Sequence, residues 1–144
     1  MTGTITAIGA AALAAVLAGV TACGSGERDV AMDLARQSCL YPVPDVPAPF
    51  DPATTDQGLL DELAAVARAR ADLASEAATK DERWTALSDA AVAIAAVAEL
   101  LRGIRASGES PAESMPAGVW DQAKYASDAY LIECRPLLPI PTTG

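Results

Sequence analysis

Histidine is missing from this chain of 144 residues, and cysteine occurs only three times, at Cys23, Cys39 and Cys134. Without an imidazole there is no Ser-His or Cys-His nucleophile pair, no general base with a usual pKa near neutrality, and no His-ligated zinc, iron or copper site. We therefore assign no catalytic residue, no metal ligand and no cofactor, and we predict that the protein is not an enzyme.

Basic side chains are also scarce. Lysine and arginine together number 10 against 19 acidic residues, which gives a formal net charge of -9 at pH 7. Nucleic-acid-binding proteins neutralise phosphates with a basic surface, and a polybasic face attracts proteins to anionic lipids. The acidic balance argues against both modes and predicts no nucleic-acid partner.

Aromatic residues make up only 4% of the chain, and alanine is its commonest residue. Alanine favours helix strongly and buries little apolar area, so the helices must pack closely through small side chains. The length suits one domain. We predict an all-α fold, a small four-helix bundle with one short and three longer helices, a proline-rich crossover and one disulfide.

The amino-terminal segment carries no charged side chain before Glu27, and its apolar run is long enough to cross a hydrocarbon core as a helix. Val20-Thr21-Ala22-Cys23, followed by Gly24-Ser25-Gly26, resembles the lipobox of bacterial lipoproteins. The resemblance covers residues 1–26 only. It implies a signal peptide over residues 1–22, an acylated Cys23 with a short tether over residues 23–26, and a protein anchored on the outer face of the cell membrane.

Two other interpretations of this segment remain open. Val20 and Ala22 also fit an ordinary signal-peptidase site, which would leave Cys23 unmodified, and an uncut segment would anchor the chain as a transmembrane helix. The usual Lys or Arg before the apolar run is absent, so either export tolerates this or the start lies upstream of Met1. Two acyl chains anchor a protein stably without a basic patch.

Cys39 and Cys134 form an even pair in a chain with an export signal, and we predict a disulfide between them. Closing a loop of nearly the whole exported domain stabilises it by about 4 to 5 kcal/mol in the chain-entropy model. The alternative is a pair of unpaired cysteines buried in an alanine-rich core.

Helix signals predict the domain as residues 27–136, with an extended tail over residues 137–144. Helices are expected over 27–40, from Asp51 or Thr55 to Ala78, over 79–106 and over 116–134. The first would be capped by Ser25, with Val30 and Leu34 facing inward, and Thr79 with Glu82 fits a capping box for the third. The inward stripes of the second and third helices are predicted at Leu59, Leu63, Val66, Leu73 and Ala77, and at Trp84, Leu87, Ala91, Ile94, Ala98 and Leu101, widened by Val97 and Ile104. Gly108 is a candidate left-handed helix stop.

Residues 41–52, the proline segment, contain five of the ten prolines and favour an extended connection. Cys39 and Cys134 both fall at the carboxyl ends of helices, which lie at opposite poles of a simple up-down bundle. Twelve extended residues reach about 37 Å, so we predict that the proline segment runs back along the bundle and that the first, second and fourth helices share a direction.

Acidic pairs such as Asp61-Glu62 and Asp81-Glu82 are interpreted as solvated helix faces, because adjacent carboxylates point about 100° apart. Two functions stay open, and an enzyme, which would require two facing carboxylates with separated pKa values in a cleft, is the least favoured. The first is a binding or structural role in the cell envelope, with the bundle surface or the proline segment engaging an envelope protein. The second is a small apolar or cationic ligand in the bundle interior, beside Trp84, Trp120 and Tyr130, where a cavity with an inward carboxylate would support it.

Overall fold

The computed structural model describes residues 20–139 of the chain, with side chains described from Gly24 onward. Four long helices and one short one follow in order: α1 Val20–Leu40, α2 Gln57–Lys80, α3 Thr85–Ala106, α4 Pro111–Ser114 and α5 Val119–Cys134. Short 3-10 turns cover Glu82–Trp84 and Arg135–Leu137, and no strand occurs within this part of the chain. The predicted all-α bundle with its proline-rich crossover is confirmed. Residues 1–19 of the signal-peptide prediction and 140–144 of the tail lie outside the described residues.

α1 is longer than the sequence predicted. It begins at Val20 instead of Glu27, so Ser25 lies inside the helix and does not cap it, and the predicted tether is helical. The residues that face inward are Ala31, Ala35 and Ser38, all fully buried, whereas Val30 is about half exposed. Small side chains at this spacing let α1 approach α2 closely, which is why the larger residues lie at the edge of the contact.

α2 begins after Asp56, whose carboxylate accepts a hydrogen bond from the N–H of Gly58 at 2.8 Å. The predicted start at Asp51 or Thr55 is therefore early; Asp51 instead closes a separate turn by accepting from the N–H of Ala53. The buried face of α2 is mostly alanine, with the predicted Leu73 only partly buried. Its buried members are Leu60, Ala64, Ala67, Ala71, Ala74 and Ala77.

The connection between α2 and α3 differs from the predicted capping box. The hydroxyl of Thr79 donates back to the carbonyl oxygen of Glu76, because Thr79 still lies within α2. Asp81 takes both capping roles: its N–H donates to Ala77, and its carboxylate accepts from the N–H of Arg83. A single aspartate thus ends one helix and starts the next.

α3 carries the predicted stripe into the core, where Leu87, Ala91 and Leu101 are buried. It ends near Gly108, whose φ of 79° confirms the left-handed helix stop. The loop that follows contains α4, and α5 starts at Val119, three residues after the predicted Pro116, because Gly118 with φ 82° makes the turn. α5 ends at Cys134 as predicted.

Contacts along α2 define the direction of α1. The hydroxyl of Ser38, near the end of α1, donates to the carbonyl oxygen of Arg70 in the middle of α2. Ala31, two turns earlier in α1, belongs to the buried cluster that contains Ala74 and Ala77, later in α2. α1 therefore runs antiparallel to α2.

The remaining helices also alternate in direction. The hydroxyls of Ser75 and Ser88 lie 3.0 Å apart at the turn between α2 and α3, so this pair forms an antiparallel hairpin. Trp120 at the start of α5 and Leu101 near the end of α3 line one cavity, while Cys134 clusters with Leu87. α5 therefore runs opposite to α3.

The predicted disulfide between Cys39 and Cys134 is present, with a Cα–Cα distance of 5.5 Å across a sequence separation of 95. The predicted common direction of the first, second and fourth helices is wrong. α1 is displaced along the bundle axis, so that it stops level with Arg70 while residues 24–29 are exposed. Because of this displacement, the carboxyl ends of α1 and α5 meet halfway along the bundle, although the two helices run in opposite directions.

α3 belongs to the described helical segment Glu82–Ala106, which is long and apolar enough to cross a membrane because an 18-residue stretch of it has a mean hydropathy of 1.5. In the bundle it packs against α2 on one side and α5 on the other. Its apolar character is explained by this central position, since a helix covered on two sides is apolar over much of its circumference.

Candidate ligand cavity

A cavity of about 250 Å³ lies between α2, α3, α5 and the proline segment. It forms because α1 stops at mid-height: beyond that point the groove over α2, α3 and α5 is covered only by residues of the proline segment. The lining is apolar except for Arg70, Ser127 and Tyr130. Its larger apolar side chains include Phe50, Leu63, Val66, Ile94, Val97 and Trp120.

Arg70 supplies the positive charge of the lining. Its Nη2 donates to the carbonyl oxygen of Tyr41 at 2.8 Å, which ties the start of the proline segment to α2. Its Cζ lies 5.6 Å from the centroid of the Tyr130 ring, within the range of a cation–π contact. The Nε atom is shielded from solvent and has no hydrogen-bond partner among the described residues.

Tyr130 closes the cavity on the side of the disulfide. Its side chain is buried, and its hydroxyl donates to the carbonyl oxygen of Ser38 at 2.7 Å. Burial raises the pKa of Tyr130, and the hydrogen bond with Ser38 and the charge of Arg70 offset part of that rise. The neutral phenol is therefore the form that the folded protein favours.

Two of the three predicted ligand-contacting residues meet at this cavity. Trp120, which is 44% exposed, and Tyr130 both line it. Trp84 does not: it is buried in the core between the helices, with the guanidinium of Arg83 4.5 Å from its ring centroid.

Arg70 was missed by the sequence interpretation, although the sequence carries a signal for it. Leu63, Ala67, Arg70, Ala74 and Ala77 follow one another at three- and four-residue spacing, the spacing of a single helix face. An arginine in the middle of such an apolar stripe must either extend to solvent or be buried with a partner.

No aspartate or glutamate lines the cavity within the described part of the chain. Several acidic residues instead form surface ion pairs, as the solvated-face interpretation expects. Glu99 bridges Arg68 on α2 and Arg102 on α3, the latter at 2.8 Å, and Lys124 pairs with Asp128 at the same distance. Over residues 24–139 no three His, Cys, Asp or Glu side chains are grouped to hold a metal ion.

Three large apolar side chains on α5 are more than half exposed, among polar neighbours such as Lys124 and Asp128. Tyr125 is 73% exposed and Ile132, two turns later on the same face, is 62% exposed, with Leu131 beside it at 61%.

Comparison of the chain with protein-family models, with curated proteins and with solved structures gave no match.

Proposed function

We propose that this protein is a lipid-anchored binding protein of the cell envelope, which holds a small apolar ligand in the cavity beneath the proline segment. The observation that carries the proposal is the cavity itself, whose walls are almost wholly apolar. Its volume lies between the ~150 Å³ of an apolar cavity that holds one benzene and the ~300 Å³ of the smallest common ligand pockets. It suits one hydrocarbon segment or a substituted aromatic ring.

The lining favours an apolar ligand over a cationic one. A buried cation requires an acidic partner, and no carboxylate lines the cavity in the described residues. Arg70 would repel a cation at the same place. The apolar version of the ligand-binding hypothesis is therefore the one we retain.

Filling the cavity tests this function. Ala98 lines it from α3, whereas Ala96 is exposed on the same helix, so Ala98→Phe and Ala96→Phe add the same volume inside and outside the cavity. We expect N-phenyl-1-naphthylamine to bind the wild type with enhanced fluorescence, Ala98→Phe to weaken binding by about tenfold or more, and Ala96→Phe to leave it unchanged. Equal binding by all three proteins would refute the cavity as the site.

The membrane anchor is a separate part of the proposal, supported by the lipobox-like residues Val20 to Cys23. Intact-mass measurement of the membrane-extracted protein distinguishes three outcomes. A chain that begins at acylated Cys23 supports lipid anchoring, a chain cut at the same place without acyl groups supports ordinary signal-peptidase cleavage, and an uncut chain supports a transmembrane anchor. Cys23→Ala should abolish lipid labelling and release the protein from the membrane fraction; unchanged retention would refute lipid anchoring.

A second candidate function, docking of an envelope protein, is favoured by the exposed apolar side chains of Tyr125, Leu131 and Ile132 on α5. A photo-reactive residue at Ile132 should cross-link one defined partner in cells, and the same residue at the exposed polar Glu62 on α2 should not. Tyr125→Glu should remove the cross-link. The same cross-links from both positions, or cross-links that persist in Tyr125→Glu, would argue against docking at this surface.

A further inference from the structure

Arg70 faces the apolar cavity without an anionic partner. Within residues 24–139 none of the ion pairs involves it, and a hydrogen bond to the carbonyl oxygen of Tyr41 occupies only one of its five N–H donors. Its Nε is shielded from solvent and unpartnered. A charged group in such surroundings gains most from an opposite charge that accepts its remaining hydrogen bonds.

We propose that the cavity takes a monocarboxylate, such as a medium-chain fatty acid, with the carboxylate at Arg70 and the hydrocarbon chain between α2, α3 and α5. The inference rests on the proposed apolar binding function and adds the polar end of the ligand. A carboxylate suits the guanidinium of Arg70, because two parallel N–H donors of a guanidinium fit its two oxygens.

The surroundings of Arg70 support one negative charge. Among the residues that the structure describes, no second lysine or arginine lines the cavity, so a doubly charged phosphate monoester would lack a second cation there. The hydroxyls of Ser127 and Tyr130 are the other polar groups of the lining, and both belong to α5. The polar groups therefore lie on the side of Arg70 and α5. The apolar walls formed by Leu63, Val97 and Trp120 are left to contact the hydrocarbon chain of the ligand.

Calorimetric titration of the full-length protein with decanoate, decanol and decylamine tests the inference, since the three probes share one chain length and differ in charge. We expect decanoate to bind about tenfold or more tightly than decanol, and decylamine to bind more weakly than either. Arg70→Gln should remove the preference for decanoate, while Arg36→Gln, an exposed arginine on α1, should keep it.

The outcomes separate this inference from the function on which it rests. Decanol bound as tightly as decanoate, or decylamine bound more tightly, would overturn the carboxylate while leaving apolar binding intact. Binding of none of the three would overturn both. Retention of the decanoate preference in Arg70→Gln would also refute the role of Arg70, and the wild-type comparison decides the matter if that variant does not fold.

Discussion

The hydroxyl of Tyr130 donates to the main-chain carbonyl of Ser38 at 2.7 Å, and it also lies 2.9 Å from the hydroxyl of the same serine. Ser38 in turn donates to the carbonyl oxygen of Arg70 at 2.9 Å. This chain of contacts joins α1, α2 and α5 at one level of the bundle, one turn from the disulfide. Polar groups buried among alanines thereby have partners where the cavity begins.

Replacing Tyr130 and replacing Ser38 should destabilise the fold by similar amounts, because each removes two contacts of one network. Tyr130→Phe removes both contacts to Ser38, and we expect a loss of about 1 to 2 kcal/mol in the free energy of unfolding by urea. Ser38→Ala keeps the hydrogen bond from Tyr130 to the main-chain carbonyl of Ser38, but it removes the hydroxyl contact with Tyr130 and the donation to the carbonyl oxygen of Arg70, so it should cost a similar amount. The double variant should cost less than the sum of the two, because both changes break the same network; full additivity would contradict coupling through these hydroxyls.

The stability conferred by Tyr130 should decline at alkaline pH. Burial raises the pKa of Tyr130 above its ordinary 10.0, so the folded state keeps a proton that the unfolded state releases. The contribution is fully present below the unfolded pKa and is lost as pH rises through the folded pKa. The stability difference between wild type and Tyr130→Phe should therefore shrink as the pH rises above about 10. Tyr125→Phe is the reference for loss of an exposed phenol, and a widening difference would contradict the assignment.

Removing the disulfide should have the largest effect on stability. The bridge between Cys39 and Cys134 closes a loop with a sequence separation of 95. Replacing both cysteines by alanine, in a Cys23→Ala background that prevents mispairing, should lower the free energy of unfolding by about 3 to 5 kcal/mol. Reduction of the Cys23→Ala protein should produce a similar loss. A change below about 1 kcal/mol would show that helix packing alone fixes α1.

The residues that link α2 and α3 allow a test of which side chain caps the helices, Asp81 as in the structure or Thr79 as the sequence pattern predicted. Asp81→Ala removes the carboxylate that accepts from Arg83, and we expect a loss of about 1 kcal/mol. Thr79→Ala should change stability by less than about 0.5 kcal/mol, because Thr79 lies exposed at the end of α2. A larger loss of stability for Thr79→Ala than for Asp81→Ala would instead support a capping box formed by Thr79 and Glu82.

Two glycines should respond to alanine in opposite senses. Gly103 lies inside α3, where an added Cβ would meet nothing within 4 Å, so Gly103→Ala should raise thermal stability by about 0.5 to 1 kcal/mol. Gly118 has φ 82°, and Gly118→Ala should lower stability by about 1 kcal/mol because L residues rarely adopt this conformation. The measurement is the midpoint of thermal unfolding, and stabilisation by both variants would contradict the turn at Gly118.

The sequence predicted features that depend on local chemistry or on compartment. The stripe of α3, the stop at Gly108 and the pairing of Cys39 with Cys134 follow from periodicity, glycine conformation and cysteine count. The position of α1 along the bundle axis could not be predicted from the sequence. It depends on how closely Ala31 and Ala35 approach α2, and a row of small side chains can pack at several positions along a neighbouring helix.

The candidate site was predicted only in part. Trp120 and Tyr130 were selected as aromatic residues near helix faces, and Trp84 shared the same pattern, yet only tertiary packing separates a core tryptophan from one at a cavity. The cavity exists because of where α1 ends relative to α2, and this relative position cannot be predicted from a pattern of residues. The charge of Arg70 was visible in the apolar stripe of α2, but its lack of a partner required coordinates.

The offset of α1 also determines which way the cavity faces. Cys23 lies near the amino end of α1, the end that points toward the carboxyl end of α2, whereas the cavity lies along the amino-terminal half of α2. From Cys23 to the first buried residue, Ala31, eight helical residues span about 12 Å. With acyl chains on Cys23, α1 would act as a rigid stalk that holds the cavity away from the bilayer, so a ligand would arrive from the aqueous side and not by lateral diffusion from the lipid.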